Sequence, residues 1–128
     1  MNETERAAGL AETPSYRYAD LVGERLFLAG QVPHDQHGHL VAPGDPSAQV
    51  RQCLDNLAAV LGTHGFGVGD IHRVVVYVVG DRPTMSAAWR AVTEWFGGDV
   101  PPATLLGVAL LGYDEQVVEI DAEVQRRP

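Results

Sequence analysis

The chain has 128 residues, 45% of them hydrophobic, which is enough for one ordinary core and too little for two. Its formal net charge is −8, and all nine basic residues are arginine because the sequence contains no lysine. This composition argues against nucleic-acid binding, which depends on clustered basic side chains, and it excludes chemistry that needs a lysine Schiff base. The single cysteine, Cys53, cannot form an internal disulfide or a cysteine-rich metal cluster.

The longest apolar runs, at residues 74–79 and 105–111, are far shorter than the roughly 18–20 residues that a membrane-spanning helix needs. The first six residues, Met-Asn-Glu-Thr-Glu-Arg, include three charged side chains, and no apolar signal segment follows them. We therefore expect a cytoplasmic protein that makes no membrane contact.

The first half of the chain predicts a short β-region and then a helix. Residues 1–13 show little periodicity and are expected to form a flexible arm, so that a single domain spans residues 14–128. Two short strands are predicted at residues 16–19 and 24–29, and the second ends abruptly in the turn Gly30-Gln31-Val32-Pro33.

The strongest helical pattern covers residues 47–61, where apolar residues recur at spacings of three and four. Asp45 is predicted to cap this helix, with Pro46 at its first position and Gly62 at its end. Cys53 falls on the apolar face and is expected to pack there as a small hydrophobic residue rather than to react.

The second half predicts a strand, a helix and two more strands. The β-branched run at residues 71–79 indicates a buried central strand, and a second helix is predicted to begin with Thr84 as its cap. Strands are then expected at residues 104–111 and 116–124, and the last of them alternates cleanly between apolar and acidic residues.

This order of elements predicts an α+β fold, with one mixed sheet and two helices packed on one of its faces. The other face would be left without a covering layer. Oligomerisation is the simplest way to cover it.

Two loops contain residue types that can bind ligands. His34, His37 and His39 with Asp35 have suitable atoms for a metal, but their spacing in a flexible loop is weak evidence, and we predict no metal. The glycine-rich run at residues 65–69 lies between a helix and a strand, which is the wrong order for a phosphate-binding turn.

Three acids on the last strand, Glu119, Asp121 and Glu123, are expected from the pattern alone to line a solvated face. Glu119 has the best opportunity for a functional role because it lies near the start of the strand, where loops meet. Trp89 and Trp95 occur at helical spacing and most simply pack in a core or an interface.

Taken together, the motifs resemble those of the YjgF-like Rid family of reactive-intermediate deaminases. The resemblance extends over nearly the whole chain from Tyr16. It is carried by Tyr16, Ala29-Gly30-Gln31-Val32-Pro33, Gly38, residues 49–57, Gly65, Val68-Gly69-Asp70-Ile71, Pro101 or Pro102 with Ala103, and Val118-Glu119-Ile120.

The resemblance implies a chorismate-mutase-like fold and a homotrimer with a central β-barrel. It also implies pockets between subunits in which active members hydrolyse imines and enamines to 2-keto acids and ammonia without a cofactor. The positions that it assigns to ligand binding are Tyr16, Ala29, Gly30, Gln31, Trp89, Ala103 and Leu105, with Glu119 and Thr104 at the catalytic positions.

One departure from the family pattern concerns substrate binding. Active members carry an arginine directly after a Pro-Ala pair, where it holds the substrate carboxylate, whereas this chain has Thr104, or Ala103 if Val108-Ala109 sets the register. Loss of a charge-assisted arginine–carboxylate contact weakens binding about ten- to a hundredfold. An asparagine of the family's second helix is most simply replaced by Trp89, so we expect a neutral, apolar or aromatic ligand.

Three functions remain open. The leading hypothesis is a Rid-family homotrimer that binds or acts on a small metabolite at its interfaces. A second is a true 2-imino or 2-enamino acid deaminase in which Arg17, Arg73 or Arg90 replaces the missing arginine. The third is a non-catalytic ligand-binding or regulatory protein, while a ribonuclease is disfavoured by the acidic composition.

Overall fold

The computed structural model describes residues 1–128, and the chain forms one five-stranded sheet with helices on one of its faces. The strands are β1 (Ala19–Val22), β2 (Arg25–Leu28), β3 (Ile71–Val78), β4 (Ala103–Gly107) and β5 (Val118–Gln125). The helices are α1 (Glu3–Ala7), α2 (Pro46–Thr63) and α3 (Arg82–Trp95). No helix combines the length and apolar character needed to cross a bilayer.

The sheet is mixed, with the strand order β1-β2-β5-β3-β4. Only β3 and β4 run parallel, and α3 connects them. The predicted α+β architecture, with a single mixed sheet, is thus confirmed.

The core lies between the sheet and the two long helices. On β3 and β5 every second residue points to the helices and is buried, as Val74, Val76, Val118 and Ile120 illustrate. Cys53 is fully buried on α2 in the same core, where desolvation raises the pKa of its thiol well above the usual value. It packs as a hydrophobic residue, as predicted.

The opposite side of the sheet, which we call the open face, has no helix over it. It carries the alternate side chains of each strand: Asp20, Val22, Arg25, Phe27, Arg73, Val75, Tyr77, Thr104, Leu106, Glu119, Asp121 and Glu123. Phe27 remains 49% exposed there. A large exposed aromatic side chain on an uncovered sheet supports the expectation of a partner.

The predicted start of the major helix is confirmed, whereas that of α3 is wrong. Asp45 accepts a hydrogen bond from the Ala48 backbone N–H at 3.1 Å. At α3 the cap is Asp81 rather than Thr84, because the Asp81 carboxylate accepts bonds from both the backbone N–H and the hydroxyl of Thr84. Thr84 therefore lies inside the helix.

The bounds of the predicted strands differ from those in the structure, by at most two residues at either end of β2, β3 and β5 and by more in β1 and β4. The first strand lies at Ala19–Val22 and overlaps the predicted residues 16–19 only at Ala19, because the two-residue turn Gly23-Glu24 pairs Val22 with Arg25 and fixes the register of β1 against β2. The strand predicted at residues 104–111 ends at Gly107, where its partner β3 also ends.

The first 13 residues contain structure that the sequence analysis did not predict. Asn2 caps the short helix α1 by accepting a hydrogen bond from the Glu5 N–H at 2.8 Å. Leu10 and Ala11 are buried, with exposed fractions of 3% and 5%. Five residues are too few for the helical period to be visible in the sequence.

Candidate functional site

A bulge between β2 and β5 creates the centre of the candidate site. Leu26 lies opposite Val124 and Gln31, beyond the end of β2, lies opposite Ile120, so the first segment advances five residues while β5 advances four. The extra residue is accommodated around Ala29 and Gly30, where the chain bends away from the ladder. Backbone bonds between Gln31 and Ile120, at 2.7 and 3.1 Å, close the pairing again.

Glu119 lies directly beside this bulge. A Cβ atom added to Gly30 would be 2.5 Å from Oε2 of Glu119, a separation that real Cβ atoms essentially never show. The absence of a side chain at residue 30 is therefore what allows the carboxylate to occupy this position.

The Glu119 carboxyl is half-buried and accepts a side-chain hydrogen bond at one of its two oxygen atoms. The Gln116 side chain donates a weak hydrogen bond to its Oε1 from Nε2 at 3.4 Å. Desolvation raises the pKa of Glu119; the bond from Gln116 opposes this shift and the nearby Asp121 adds to it. A carboxylate with a raised pKa is a stronger base than an exposed one.

A cavity of about 480 Å³ opens over this carboxylate. Its lining consists of Tyr16, Ala29, Gly30, Val32, Gly112, Tyr113 and Glu119. Four of these are positions that the sequence predicted, namely Tyr16, Ala29, Gly30 and Glu119. The structure therefore brings four of the nine predicted site residues together within a single chain.

The cavity has two phenol side chains. Burial raises the pKa of the Tyr16 hydroxyl, and the neighbouring Tyr113 and Glu119 raise it further. Tyr113 also contacts the ring of His34 edge-on, with 4.5 Å between centroids. Burial lowers the pKa of His34, which favours its neutral form.

Helix α2 positions the loops that border the cavity. The Asn56 amide donates to the backbone carbonyls of Val32 and His34 at 3.0 and 2.9 Å, which fixes the segment after the bulge. Seven residues earlier on the same helix face, Gln49 holds the segment before β5. Its amide donates to the carbonyls of Ala42 and Glu115, and its Oε1 accepts from the Val117 N–H at 2.8 Å. These contacts give Gln49 and Asn56 of the 49–57 motif a structural role.

Gln31 supports the bulge from within. It is only 2% exposed, and its Nε2 donates to the Ala29 carbonyl at 2.8 Å. It lines a narrow cleft behind the main cavity, together with Tyr16 and Tyr18. The Tyr18 hydroxyl donates to the Ala11 carbonyl at 2.6 Å, and burial raises its pKa to about 12.

The remaining predicted positions lie elsewhere in the chain. Trp89 and Leu105 line a separate cavity of about 510 Å³ between α3 and β4. Thr104 points to the open face, where its hydroxyl accepts a hydrogen bond from Nη2 of Arg73. Ala103 is exposed at the start of β4.

The histidine loop is organised by its acid. Asp35 accepts bonds from the backbone N–H groups of His37 and His39 at 2.9 and 3.0 Å, and these bonds lower the pKa of its carboxyl. The carboxylate thus shapes the turn between residues 35 and 39.

Sequence reasoning missed Val32, Gly112 and Tyr113. The segment at residues 112–115 has the composition of a turn, and nothing in its pattern shows that β5 brings it against the bulge. The pairing of Gln31 with Ile120 brings the segment before β5 against the bulge, and Tyr113 thereby lines the same cavity as Tyr16.

The fold and this cavity define a class of small α+β proteins in which a pocket with a carboxylate in its wall lies at a bulge beside the central strand of a mixed sheet. The sequence matches the family described as Endoribonuclease L-PSP over residues 8–125. The 2-iminobutanoate/2-iminopropanoate deaminase of Salmonella typhimurium is 34% identical over 83% of this chain and 83% of its own length. A RutC family protein of Pyrococcus horikoshii is 33% identical over 84% and 83% of the two chains.

Solved structures agree with these relatives. The YjgF gene product of Escherichia coli is 31% identical and superposes with a TM-score of 0.77, covering 94% of each chain. Escherichia coli TdcF, solved with bound serine, is 26% identical with a TM-score of 0.77, over 98% of this chain and 97% of that one. The chain belongs to the Rid/YjgF family.

Proposed function

We propose that this protein assembles as a homotrimer and hydrolyses a small imine or enamine in pockets between subunits, with Glu119 as the proton-transferring group. The observation that carries the proposal is the Glu119 carboxylate, half-buried beside the Gly30 bulge with its pKa raised, at the wall of a cavity of about 480 Å³. The named deaminase among its relatives supports the reaction class.

The reaction needs water, a base and an acid. The imine reacts as its protonated iminium form, and the ionised Glu119 takes a proton from a water molecule as that water adds to the iminium carbon, which gives a neutral carbinolamine. The same carboxyl then returns this proton to nitrogen. As the C–N bond breaks and the carbonyl forms, the carboxylate accepts the proton of the carbinolamine hydroxyl and passes it to the departing ammonia, which leaves as ammonium. An enamine first gains a proton at carbon, and no cofactor is required at any step.

The distribution of predicted site residues supports assembly. Tyr16, Gly30 and Glu119 line one cavity beside β5, the central strand, whereas Thr104 lies on the edge strand β4, with β3 between them. A pocket that uses both sets is most simply built from two copies of the chain. The exposed Phe27 on the open face favours such a partner.

A non-catalytic role in ligand binding uses the same cavity and is the second candidate. The two phenols and the carboxylate could hold a ligand unchanged. The acidic charge of −8 and the three carboxylates that β5 places on the open face work against a nuclease, whose substrate is a polyanion.

The test measures ammonia release from freshly generated 2-iminopropanoate by wild type, Glu119→Gln and Glu123→Gln. Glu123 is exposed on the same strand face and controls for the lost charge. We expect wild type and Glu123→Gln to exceed the buffer rate and Glu119→Gln to fall at least a hundredfold toward it. If Glu119→Gln hydrolyses the imine as fast as wild type, the assignment of Glu119 is wrong.

Two further results bear on the same proposal. A stable monomer by light scattering contradicts the interfacial pocket. Rates equal to buffer for every imine offered, combined with ligand binding that depends on Glu119, favour the non-catalytic alternative.

A further inference from the structure

We infer that Arg73 and Thr104 together form an anion-binding site on the open face, through which this protein recognises the carboxylate of its ligand. The inference rests on the proposed function for the identity of the site that it serves. The positive charge that binds the ligand carboxylate is then Arg73 on β3, rather than a residue of β4.

The geometry begins with a single hydrogen bond between the two strands. Nη2 of Arg73 donates to the hydroxyl of Thr104, and this is the only side-chain hydrogen bond on the open face that joins β3 to β4. The guanidinium is thus held beside residue 104. That is the residue at which the family resemblance places its carboxylate-binding arginine.

Arg73 has no carboxylate partner of its own. The β3–β5 register places Glu123 directly opposite it, yet Glu123 pairs with Arg25 at 3.8 Å instead. Asp121, one row further along β5, lies opposite Val75 and bonds to the backbone N–H of Ala122. A half-buried guanidinium that neighbouring acids leave unpaired, in a chain of charge −8, retains most of its donors for a ligand.

The chemistry of the pair suits a carboxylate. The guanidinium presents parallel N–H donors that match two carboxylate oxygens, and one of its nitrogens is oriented by Thr104. The hydroxyl of Thr104 accepts from Arg73, so its own proton is free to donate to the same anion. Arg73 on β3 and Thr104 on β4 therefore together take the place of the single arginine that the family resemblance expects at residue 104.

The other candidate arginines are placed less favourably. Arg17 lies 3.6 Å from the carboxylate of Asp20, and Arg90 lines the cavity of Trp89 on the helix side of the sheet. Neither contacts Thr104. The position of Arg73 also argues against the expectation of a neutral ligand, since that expectation assumed that no cation remained at this position.

Asp121 opposes anion binding and limits its strength. Its carboxyl shares the row of Val75 and Thr104 across the sheet, about two strand spacings or roughly 10 Å from Thr104. Desolvation raises the pKa of Asp121, with the neighbouring Glu123 adding to the shift. The site is therefore predicted to bind singly charged carboxylates in preference to more highly charged anions.

The experiment uses binding, so that it does not depend on turnover. Isothermal titration calorimetry measures the affinity of 2-oxobutanoate, a keto acid, and of 2-oxobutanamide, its uncharged counterpart, for wild type and three variants. Arg73→Met removes the guanidinium and Thr104→Val removes the hydroxyl. Arg51→Met removes the same charge from an exposed position on α2 and serves as the matched control.

We expect wild type and Arg51→Met to bind 2-oxobutanoate alike. Arg73→Met should bind it about ten- to a hundredfold more weakly, the loss expected for a charge-assisted hydrogen bond. Thr104→Val should show a smaller loss, and 2-oxobutanamide should bind weakly to every protein. Arg73→Lys, which keeps the charge but not the planar donors, should recover part of the affinity.

Several outcomes overturn the inference. These are equal affinities of Arg73→Met and wild type for 2-oxobutanoate, no preference for the acid over the amide, and no binding of 2-oxobutanoate to wild type. Thermal unfolding and light scattering check that each variant folds and assembles as wild type does. If Arg73→Met does not fold or assemble, the comparison is made with Arg73→Lys and Thr104→Val. Full retention of 2-oxobutanoate affinity by both of these variants also overturns the inference.

The inference and the proposed function fail separately. If Glu119→Gln abolishes imine hydrolysis while Arg73→Met leaves 2-oxobutanoate affinity unchanged, the anion site is wrong and the proposed chemistry stands. If anion binding depends on Arg73 but wild type hydrolyses no imine, the site stands and the proposed chemistry is wrong.

Discussion

The Glu119 carboxylate lies against Gly30, in the space where a side-chain carbon of residue 30 would otherwise be. A Cβ at residue 30 would be 2.5 Å from Oε2, 3.1 Å from Cδ and 3.3 Å from Cγ of Glu119. The bulge that ends β2 and the carboxylate that begins β5 are thus one structural unit. A change at the first residue must move the second.

Substituting Gly30 with alanine tests this relationship directly. We expect Gly30→Ala to displace the Glu119 side chain and to lower any turnover or ligand affinity at least tenfold, because a shift of about 1 Å at a reacting group is costly. The fold should survive, since the glutamate side chain can rotate away. Activity or binding together with thermal unfolding measures both effects.

Gly112 provides the matched control. It lines the same cavity, but a Cβ there would meet no heavy atom within 4 Å. Gly112→Ala should therefore retain wild-type function. Equal losses in the two variants would mean that a smaller cavity, rather than the position of Glu119, explains the effect.

The parts of this fold that the sequence predicted are those that depend on local periodicity. The helix at residues 47–61, the Asp45 cap and the alternation of the last strand follow from spacings within one element. The short helix α1 was missed because five residues are too few to show a helical period. The Asp81 cap was missed because Asp81 and Thr84 are both suitable cap residues, and only the structure shows which of them accepts a hydrogen bond from the first turn of the helix.

The candidate site depends on contacts between distant segments, which periodicity does not encode. The family resemblance identified Tyr16, Gly30 and Glu119. It did not identify Tyr113, which lies in a turn before β5 and reaches the cavity where Gln31 pairs with Ile120. The contact between Arg73 and Thr104 likewise follows from the parallel register of β3 and β4, which joins residues about thirty positions apart.

The raised pKa of Glu119 predicts a pH-dependent change in stability. Because the pKa of this carboxyl is higher in the folded protein than the ordinary 4.5, its ionised form costs stability at neutral pH. The neutral variant Glu119→Gln should therefore have a higher Tm than wild type at pH 7 to 8. The difference should shrink as pH falls through the raised pKa and vanish below about 4.5, where both side chains are uncharged.

Thermal unfolding at a fixed protomer concentration checks this prediction, because assembly makes Tm concentration-dependent. Glu123→Gln changes net charge equally at an exposed position on the same face and should move Tm much less. If Glu119→Gln were less stable than wild type at pH 8, the carboxylate would be stabilising and its burial would not dominate its energetics.

Gln49 is predicted to be a major stabilising contact between α2 and the segment before β5. Its side chain is fully buried and uses both ends of the amide for three hydrogen bonds to the backbone. Gln49→Ala should lower the free energy of unfolding by about 2–4 kcal/mol, since it leaves buried backbone groups unpaired and opens a cavity. Urea denaturation at constant protomer concentration provides the measurement.

Gln52, one turn later on α2, is the comparison for Gln49. It is only partly buried and its amide bonds to Asn56 alone, at 2.9 Å. Gln52→Ala should cost no more than about 1 kcal/mol. Similar losses in the two variants would show that the cost comes from the helix itself rather than from the loop that Gln49 holds.

Tyr113 is predicted to contact the ligand through its hydroxyl. Tyr113→Phe keeps the edge-on packing against His34 and removes only the oxygen atom, so affinity should fall about three- to tenfold with little change in stability. Tyr113→Ala also removes the ring from the cavity wall and should weaken binding further. Tyr18→Phe is the control, because the hydroxyl that it removes donates to the Ala11 carbonyl in wild type. This variant should lose stability but keep its affinity for the ligand. Titration of 2-oxobutanoate and thermal unfolding on all three variants separate these effects, and an affinity of Tyr113→Phe equal to that of wild type would limit Tyr113 to packing.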